Sequence, residues 1–202
     1  MNVLYQYLGK EITAQQVSTL GTYEKLFKLE SGLVKKKELF MNGEMYNIEY
    51  YKDTDETEES AIQALLPYKT NYNIYTRQSY NSYTIENANL YLNDQKMAMI
   101  RNLIDQNNET VCFQELDLIS GLPILEETTK YLGHYEDERS THYSTFHYNA
   151  DGSLFYCEFN YMSDYDTEEF HQDNIHLIRE KFVLTDQMYN YYLTAEFLPP
   201  LV

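Results

Sequence analysis

Two glycine turns, each set between segments of alternating aromatic and polar residues, constrain the fold of this chain more than any other feature. The turns are Asn42-Gly43 and Ala150-Asp151-Gly152, and the segments beside them are residues 33–40, 45–51, 140–149 and 153–162. Asn, Asp and Gly tolerate the positive φ angles of tight hairpin turns. The pattern therefore predicts two antiparallel β-hairpins, one in each half of the chain.

The remaining segments predict isolated strands and helices. Residue type and periodicity favour further strands over 23–30, 71–76, 82–92 and 111–119. They favour helices over 13–20, 61–66, 94–107, 123–132 and 166–182, with a last short helix after Thr185. No regular βαβ alternation appears. The predicted fold class is therefore α+β, with a mainly antiparallel sheet built of hairpins and several isolated helices. We expect a single domain over 1–202, with two similar halves, about 1–93 and 94–202, as the alternative.

Alternation also predicts which residues of the second hairpin reach the core. One face of its second strand carries Phe155, Cys157, Phe159 and Tyr161, and the opposite face carries Leu154, Tyr156, Glu158 and Asn160. The first set is the more apolar, so we expect it to be buried. In the helix predicted over 166–182, the expected apolar stripe is His171, Ile175, Ile178 and Phe182.

Composition limits the setting in which the chain works. Apolar residues make up 43% of the 202 residues, which is enough to bury a core. No run approaches the 18 or so apolar residues of a membrane-spanning helix, and residues 1–5 do not resemble a signal peptide. Two cysteines, Cys112 and Cys157, make no disulfide framework. We therefore expect a soluble cytoplasmic protein that has no membrane partner.

The acidic charge is concentrated in the second half of the chain. The net charge is −17, and residues 101–202 carry 5 Lys and Arg against 19 Asp and Glu, a net −14. Residues 1–100 carry 10 against 13, a net −3. Such a field repels nucleic acid and attracts a basic protein. The alternative is that the acids only keep the protein soluble.

Tyrosine is the other unusual component, with 22 residues beside 9 Phe and no Trp. A tyrosine combines a flat apolar face with one hydrogen-bonding tip, and binding surfaces favour it for that reason. High strand propensity is the simpler explanation for most of these residues.

Motifs that would indicate a familiar chemistry are absent from the sequence. There is no G-x-S-x-G, no G-x-x-x-x-G-K-[ST], no G-x-G-x-x-G and no C-x-x-C. His142 and His147 have opposite parity on a strand, so their side chains should point apart. His171 and His176 are five residues apart, which is poor spacing for a shared metal on a helix. Cys112 lies in an apolar context and should be inert. We predict no catalytic residue, no metal and no cofactor.

Two segments give the chain a resemblance to a known family. LVKKKELFMNGEMYNIEYY and STFHYNADGSLFYCEFNY, each a strand, an Asn/Asp-Gly turn and a strand, look like the hairpin units of MORN-like antitoxin proteins, some of which act as immunity proteins. The likeness covers these two units only, without the fixed repeat spacing and the frequent glycines of a true array. It implies a binding function in a bacterial toxin system and assigns no functional residue.

Charge, tyrosine content and this resemblance together favour an immunity or inhibitor protein that neutralises a bacterial toxin with a basic surface. We do not expect an enzyme. The expected contact residues are the acids of the most acidic segments and the tyrosines between them: Tyr135, Glu136, Asp137, Glu138, Tyr143, Tyr161, Asp164, Tyr165, Asp166, Glu168 and Glu169. The acidic run over 53–59 is a second candidate. The alternatives are a hydrolase with a His/carboxylate site around His142 or His147, and a non-catalytic adaptor subunit.

Overall fold

The computed structural model describes residues 1–137, 140–160, 167–171 and 173–200, with the backbone alone at 134–137 and 140–143. The predicted contact residues Glu138, Tyr161, Asp164, Tyr165 and Asp166 lie outside the described residues. The chain forms two compact units. Unit 1 comprises Met1–Gln78 and Glu86–Met99, and unit 2 comprises Ser79–Ile85 and Ile100–Val202.

Strands dominate the described part of the chain. The first elements are β1 (Asn2–Tyr7), β2 (Lys10–Ile12), α1 (Ala14–Val17), β3 (Thr22–Lys28), β4 (Val34–Met41), β5 (Glu44–Tyr51) and α2 (Glu58–Leu65). Next come β6 (Asn71–Tyr80), β7 (Tyr83–Leu92), β8 (Gln95–Ile104) and β9 (Thr110–Leu116). The last are β10 (Pro123–Asp137), β11 (Ser140–Tyr148), β12 (Leu154–Asn160), β13 (Thr167–Phe170), α3 (His176–Lys181) and α4 (Asp186–Tyr192).

These strands form one mixed-direction sheet, in the order β13-β12-β11-β10-β9-β8-β7-β6-β5-β4-β3-β1-β2. The fold is therefore sheet-rich, and the helices are fewer and shorter than an α+β fold would have. The α+β prediction is correct in its hairpin-built sheet and wrong in the weight that it gives to helices.

Both predicted hairpins are present. β4 pairs antiparallel with β5, and Asn42 and Gly43 between them have φ angles of 53° and 78°. β11 pairs antiparallel with β12, and Gly152 in their turn has φ 81°. These positive φ values explain why Asn and Gly stand at the turns.

Unit 1 contains one βαβ connection that the sequence analysis did not predict. Helix α2 begins at the cap Thr57, whose side chain accepts from the Ser60 N–H, and it joins β5 to β6, which run parallel. Its buried residues Ala61 and Leu65 pack with a core formed by Ile48, Tyr72, Ile74 and Tyr91. A helical crossover is what allows two neighbouring strands to run parallel.

Two predicted helices are strands. Asn93 and Asp94 have φ angles of 50° and 61°, so they form a hairpin turn, and the residues predicted as a helix over 94–107 continue as β8. Asp94 was expected to cap a helix, but Asn and Asp also tolerate the left-handed conformation of a tight turn. Pro123 begins β10 instead of a first helical turn. The β-branched Thr128 and Thr129 suit this strand, and both pair with β9.

The helix predicted over 166–182 is also wrong in its first part. Thr167–Phe170 is strand β13, paired antiparallel with β12, and only His176–Lys181 is helical. Ile175, Ile178 and Phe182 are buried as expected, whereas His171 is exposed. The short helix after Thr185 is confirmed, since the Thr185 side chain accepts from the Met188 N–H at the start of α4.

The core of unit 2 lies between one side of its strands and the two C-terminal helices. Phe146, Cys157, Phe159 and Phe170 from the strands pack against Ile178, Phe182, Tyr191 and Tyr192 from the helices. Both cysteines are buried and free. Burial raises the pKa of Cys112 to about 11 and that of Cys157 to about 12. Cys112 thus lacks the thiolate that a nucleophile requires, as the sequence indicated.

A buried lysine fastens the C-terminal segment to the strands of unit 2. Lys130 on β10 is fully buried, and its Nζ donates to the carbonyl of Tyr191 and, at 2.7 Å, to that of Thr194. The ammonium also lies 3.3 Å from the centroid of the Tyr191 ring. Desolvation lowers the pKa of Lys130 to about 7. The amine thus satisfies carbonyls at the end of α4 that would otherwise be buried without a donor.

Candidate protein-binding surface

The candidate surface of unit 2 is built by the register of its last strands. His147 on β11 pairs with Tyr156 on β12, and Glu158 on β12 pairs with Glu169 on β13. These positions alternate with the core residues Phe146, Cys157 and Phe170, so they lie on the opposite side of the strands. We call this side the acidic face and define it by five described residues: Tyr131, His147, Tyr156, Glu158 and Glu169.

A β-bulge in the second hairpin exchanges the sides of Leu154 and Phe155 and leaves Tyr156 on this face. The register pairs Tyr148 with Leu154 and His147 with Tyr156, so Phe155 is an extra residue in β12. As a result Leu154 is buried and Phe155 is 55% exposed, the reverse of the alternation expected from the sequence. A bulge shifts the side-chain pattern by one residue on one side of it. Cys157 and Phe159, beyond the bulge, are buried as predicted.

Tyr156 is the aromatic centre of the acidic face. Its ring stacks on the imidazole of His147 with centroids 4.6 Å apart and planes 16° apart. The ring of His171 lies 6.2 Å away on the other side, tilted by 35°. Desolvation and, after it, the negative charge of Glu158 raise the pKa of Tyr156. The phenol also forms a side-chain hydrogen bond with Glu158, so the ring and this carboxylate are held together on the face.

Two carboxylates stand directly opposite each other on this face. Glu158 and Glu169 are cross-strand partners, a position where like charges are destabilising. Glu169 lies 3.4 Å from Nε2 of His171, a contact that is an ion pair only when the imidazole is protonated. None of the Lys and Arg side chains described in unit 2 lies on the acidic face. The local field is thus negative beside an accessible aromatic ring.

Glu168 belongs to a different environment from Glu169, although both are predicted contact residues. Glu168 pairs with Phe159, a core residue, and its carboxylate lies 2.8 Å from Nζ of Lys181. That ammonium also lies 3.9 Å from the centroid of the Phe159 ring. Glu168 thus points to the helix side of the strand, so a single flat partner surface cannot contact both glutamates in the same way.

Four other predicted contact residues lie where the backbone alone is described: Tyr135, Glu136, Asp137 and Tyr143. They occupy β10 and β11, in which Tyr135 pairs with Thr141 and Tyr143 pairs with Gly133. These pairs continue the ladder in which Tyr131 pairs with Thr145. The structure thus places their backbone on the strands that carry the acidic face, and their contact role stays a prediction.

The sequence analysis missed Tyr156 and Glu158 as contact candidates. Its alternation had placed both on the side opposite the core, but the selection followed dense runs of acids, and Glu158 is an isolated acid in the sequence. Its partner Glu169 is eleven residues later, so only the strand pairing brings the two together. The hairpin pattern was the signal that could have found Tyr156.

Three of the five acids in the second acidic candidate, the run over 53–59, are paired with lysines of unit 1. Asp53 and Glu56 both lie 2.7 Å from Nζ of Lys35. Glu58 lies 2.8 Å from Nζ of Lys96 and accepts from Asn89 at 2.8 Å. These ion pairs link the segment around the start of α2 to Lys35 on β4 and Lys96 on β8.

Comparisons with protein-family models, with curated proteins and with solved structures found no match. Among the described residues, no group of three or more His, Cys, Asp and Glu side chains is arranged to hold a metal ion. The described helices are all too short or too polar to cross a membrane.

Proposed function

We propose that the protein is an immunity or inhibitor protein that binds a basic bacterial toxin through the acidic face of unit 2. The observation that carries this proposal is the opposed pair Glu158 and Glu169 beside the half-buried ring of Tyr156. Two carboxylates in this position repel each other in the free protein. A basic side chain of a partner relieves this repulsion. The repulsion lowers the stability of the free protein, and its relief makes the free energy of binding more favourable.

The charge of unit 2 supports fast association with such a partner. Its residues carry 5 Lys and Arg against 19 Asp and Glu. A field of one sign steers a partner of the opposite sign and raises the association rate at low salt. Because this attraction is screened by ions, we expect capture of the partner to weaken as the salt concentration rises.

Tyr156 supplies the anchor that charge alone does not. Tyrosine is enriched among the residues that dominate binding energy, and it loses few rotamers when it is buried by a partner. Stacking on His147 already holds the ring in one orientation. We expect a cationic side chain of the toxin to lie over this ring, between Glu158 and Glu169.

Capture from cells of the source organism tests the proposal. The bait is the tagged full chain, in its native form and as the double variant Glu158→Gln/Glu169→Gln. The matched control is Glu180→Gln/Glu196→Gln, which removes the same charge at exposed positions of α3 and the C-terminal segment. We expect one stoichiometric basic partner, released by high salt, to be retained by the native and control baits and lost from the Glu158/Glu169 variant.

A partner that binds all three baits equally would show that binding uses another surface. The absence of any partner, with folded bait, would contradict the proposal itself. Toxin neutralisation is then tested by co-expression, in which the native chain should restore the growth of cells that express the captured partner and the Glu158/Glu169 variant should not.

A further inference from the structure

A cleft of about 520 Å³ lies within unit 2, on the core side of its strands. Pro123, Leu125, Leu193 and Phe197 give it apolar walls, and the turn that contains Gly152 forms part of its rim. Small-molecule sites have volumes of roughly 300–1,000 Å³ and combine apolar walls with a few fixed polar groups. The cleft therefore has the size and lining of a site for a molecule of one or two rings.

Arg101 is the cation of this cleft. Its Nε donates to Oε1 of Gln114 at 2.8 Å, and its guanidinium carbon lies 4.3 Å from the centroid of the Phe197 ring. Among the described residues, no carboxylate oxygen lies within ion-pair distance of this guanidinium. Desolvation lowers the pKa of Arg101. A half-buried guanidinium that faces an amide and an aromatic ring is left with uncompensated charge.

Arg101 differs from most of the other basic residues described in unit 2, because two of the other three have a carboxylate partner. Arg179 is paired with Asp186, and Lys181 is paired with Glu168. Lys130 donates to backbone carbonyls, one of them the carbonyl of Thr194, which also lines the cleft. Arg101 and Lys130, the two cations described in unit 2 that have no carboxylate within ion-pair distance, thus both lie against the C-terminal segment.

The polar groups around Arg101 are held in fixed positions. Gln114 is 1% exposed, and its Nε2 donates to Oγ1 of Thr128 at 2.9 Å and to the carbonyl of Ala195 at 2.7 Å. These bonds fix Oε1 of Gln114 towards Arg101. Ligand sites gain affinity when their polar groups are already oriented before binding, since less rotational freedom is lost.

Two carboxylates line the cleft without neutralising Arg101. Asp151 accepts from the Ser153 N–H at 2.9 Å and from its hydroxyl at 2.6 Å. Glu196 is exposed. Solvent therefore screens the repulsion between Glu196 and a bound anion, whereas Arg101 attracts the anion beside the apolar wall of the cleft.

We infer that this cleft binds a small organic anion, a carboxylate, sulfonate or phosphate group on an apolar body of one or two rings. The anionic group pairs with the guanidinium of Arg101 from the side that Gln114 does not occupy, and the apolar body packs on Phe197 and Leu125. This site is distinct from the acidic face and does not depend on toxin binding.

The test uses two fluorescent probes of the same shape and different charge. Anilinonaphthalene sulfonate is an anion with an apolar body, and phenylnaphthylamine is its uncharged counterpart. Each is titrated into the native full chain and into Arg101→Gln. We expect the variant to bind the sulfonate about tenfold more weakly, because it loses the charge-assisted bond, and to bind phenylnaphthylamine within about twofold of the native chain.

A second variant keeps the inference testable if Arg101→Gln does not fold. Glu196→Gln alters an exposed side chain, so we expect it to fold and to bind the sulfonate about twofold to threefold more tightly. Arg179→Gln is the control, because it removes a surface cation that is already paired, and it should leave both titrations unchanged. Native protein that does not bind the sulfonate, or an equal loss of both probes in Arg101→Gln, would overturn the inference.

Discussion

Unit 1 and unit 2 differ in the partners of the charged residues on their strands, although the helix residues Arg179 and Lys181 of unit 2 are paired with Asp186 and Glu168. In unit 1, carboxylates meet cations: Glu38 lies between Lys25 and Lys36, Glu49 lies 2.8 Å from Nζ of Lys37, and Glu86 lies 2.7 Å from Nη2 of Arg77. In unit 2, Glu158 meets Glu169, and Lys130 and Arg101 meet carbonyl and amide oxygens.

Burial contributes to this difference as much as sequence. In unit 1, Lys25 and Lys37 are partly exposed, and an ion pair in contact with solvent contributes little to stability. Lys35 and Lys36 are more buried. Lys130 is fully buried, and among the described residues no carboxylate oxygen lies within ion-pair distance of its Nζ. Unit 1 thus uses these charges in ion pairs within its own structure. Unit 2 keeps charge without an opposite partner on the acidic face and at Arg101, the two places where we propose that it binds another molecule.

The largest expected effect concerns the buried lysine. Lys130→Ala should lower the free energy of unfolding by about 3–5 kcal/mol, since it leaves a cavity and two carbonyls without a donor. Lys37→Ala in unit 1, which removes a partly exposed ion pair, should cost about 0.5–1 kcal/mol. Urea denaturation of both variants measures the two losses. Equal losses of unfolding free energy in the two variants would show that the buried lysine of unit 2 contributes no more to stability than an ion-paired lysine of unit 1.

The second effect is a pH dependence that belongs to unit 2. The pKa of Lys130 is lowered to about 7 from an ordinary value of 10.5, so between these values the unfolded chain binds a proton that the folded chain lacks. Stability should therefore rise with pH in this window, by roughly 1.5 kcal/mol between pH 7 and pH 8.5. Above pH 9 the raised pKa of Cys112 acts in the opposite direction.

Lys130→Met isolates that dependence. This variant keeps the volume of the side chain and removes the amine, so its stability should change less with pH between 7 and 8.5 than that of the native chain. Denaturant midpoints at four pH values provide the measurement. If the two pH profiles have the same slope, Lys130 is not the group responsible.

The third effect tests a carboxylate inside unit 1. Glu38 is 6% exposed, and its two oxygens lie 2.7 Å from Nζ of Lys36 and 3.5 Å from Nζ of Lys25. Glu38→Gln should cost about 1 kcal/mol, because two lysines lose their charge partner. Thermal unfolding at low and high salt measures the loss. An unchanged midpoint at both salt concentrations would show that these pairs do not stabilise unit 1.

The smallest effect has opposite signs in the two units. Glu169→Gln should stabilise unit 2 by about 0.2–1 kcal/mol, because it removes a like-charge pair between strands. Glu49→Gln should destabilise unit 1 by a few tenths of a kcal/mol, because it breaks a pair with Lys37. Amide hydrogen exchange of β12 and β5 resolves the two changes separately. If both variants are less stable than the native chain, repulsion between Glu158 and Glu169 does not destabilise unit 2.

The hairpins could be predicted because their turns are specified locally. Asn42, Gly43 and Gly152 have positive φ angles that few residues tolerate, and the flanking residues alternate. The strands β8 and β10 could not be predicted in this way. Asn93 and Asp94 are as suitable for a helix start as for a turn, and only pairing with neighbouring strands decides between the two.

The strands β11 and β12 of the candidate surface were predicted as a hairpin, whereas β10 and β13 were predicted as helices, and Glu169 alone of its five defining residues was an expected contact. The excess of acids identified unit 2, and Glu169 was among the expected contacts. The bulge at Phe155 and the register that opposes Glu158 to Glu169 are long-range features. A sequence shows that acids are abundant, whereas pairing determines which of them share a face.

The decisive measurement is the affinity of the captured partner as a function of salt concentration. We expect Glu158→Gln/Glu169→Gln to weaken binding and to flatten its salt dependence, while the matched control Glu180→Gln/Glu196→Gln changes both much less. Equal affinities and equal salt slopes for the two double variants would show that the acidic face of unit 2 is not the binding surface.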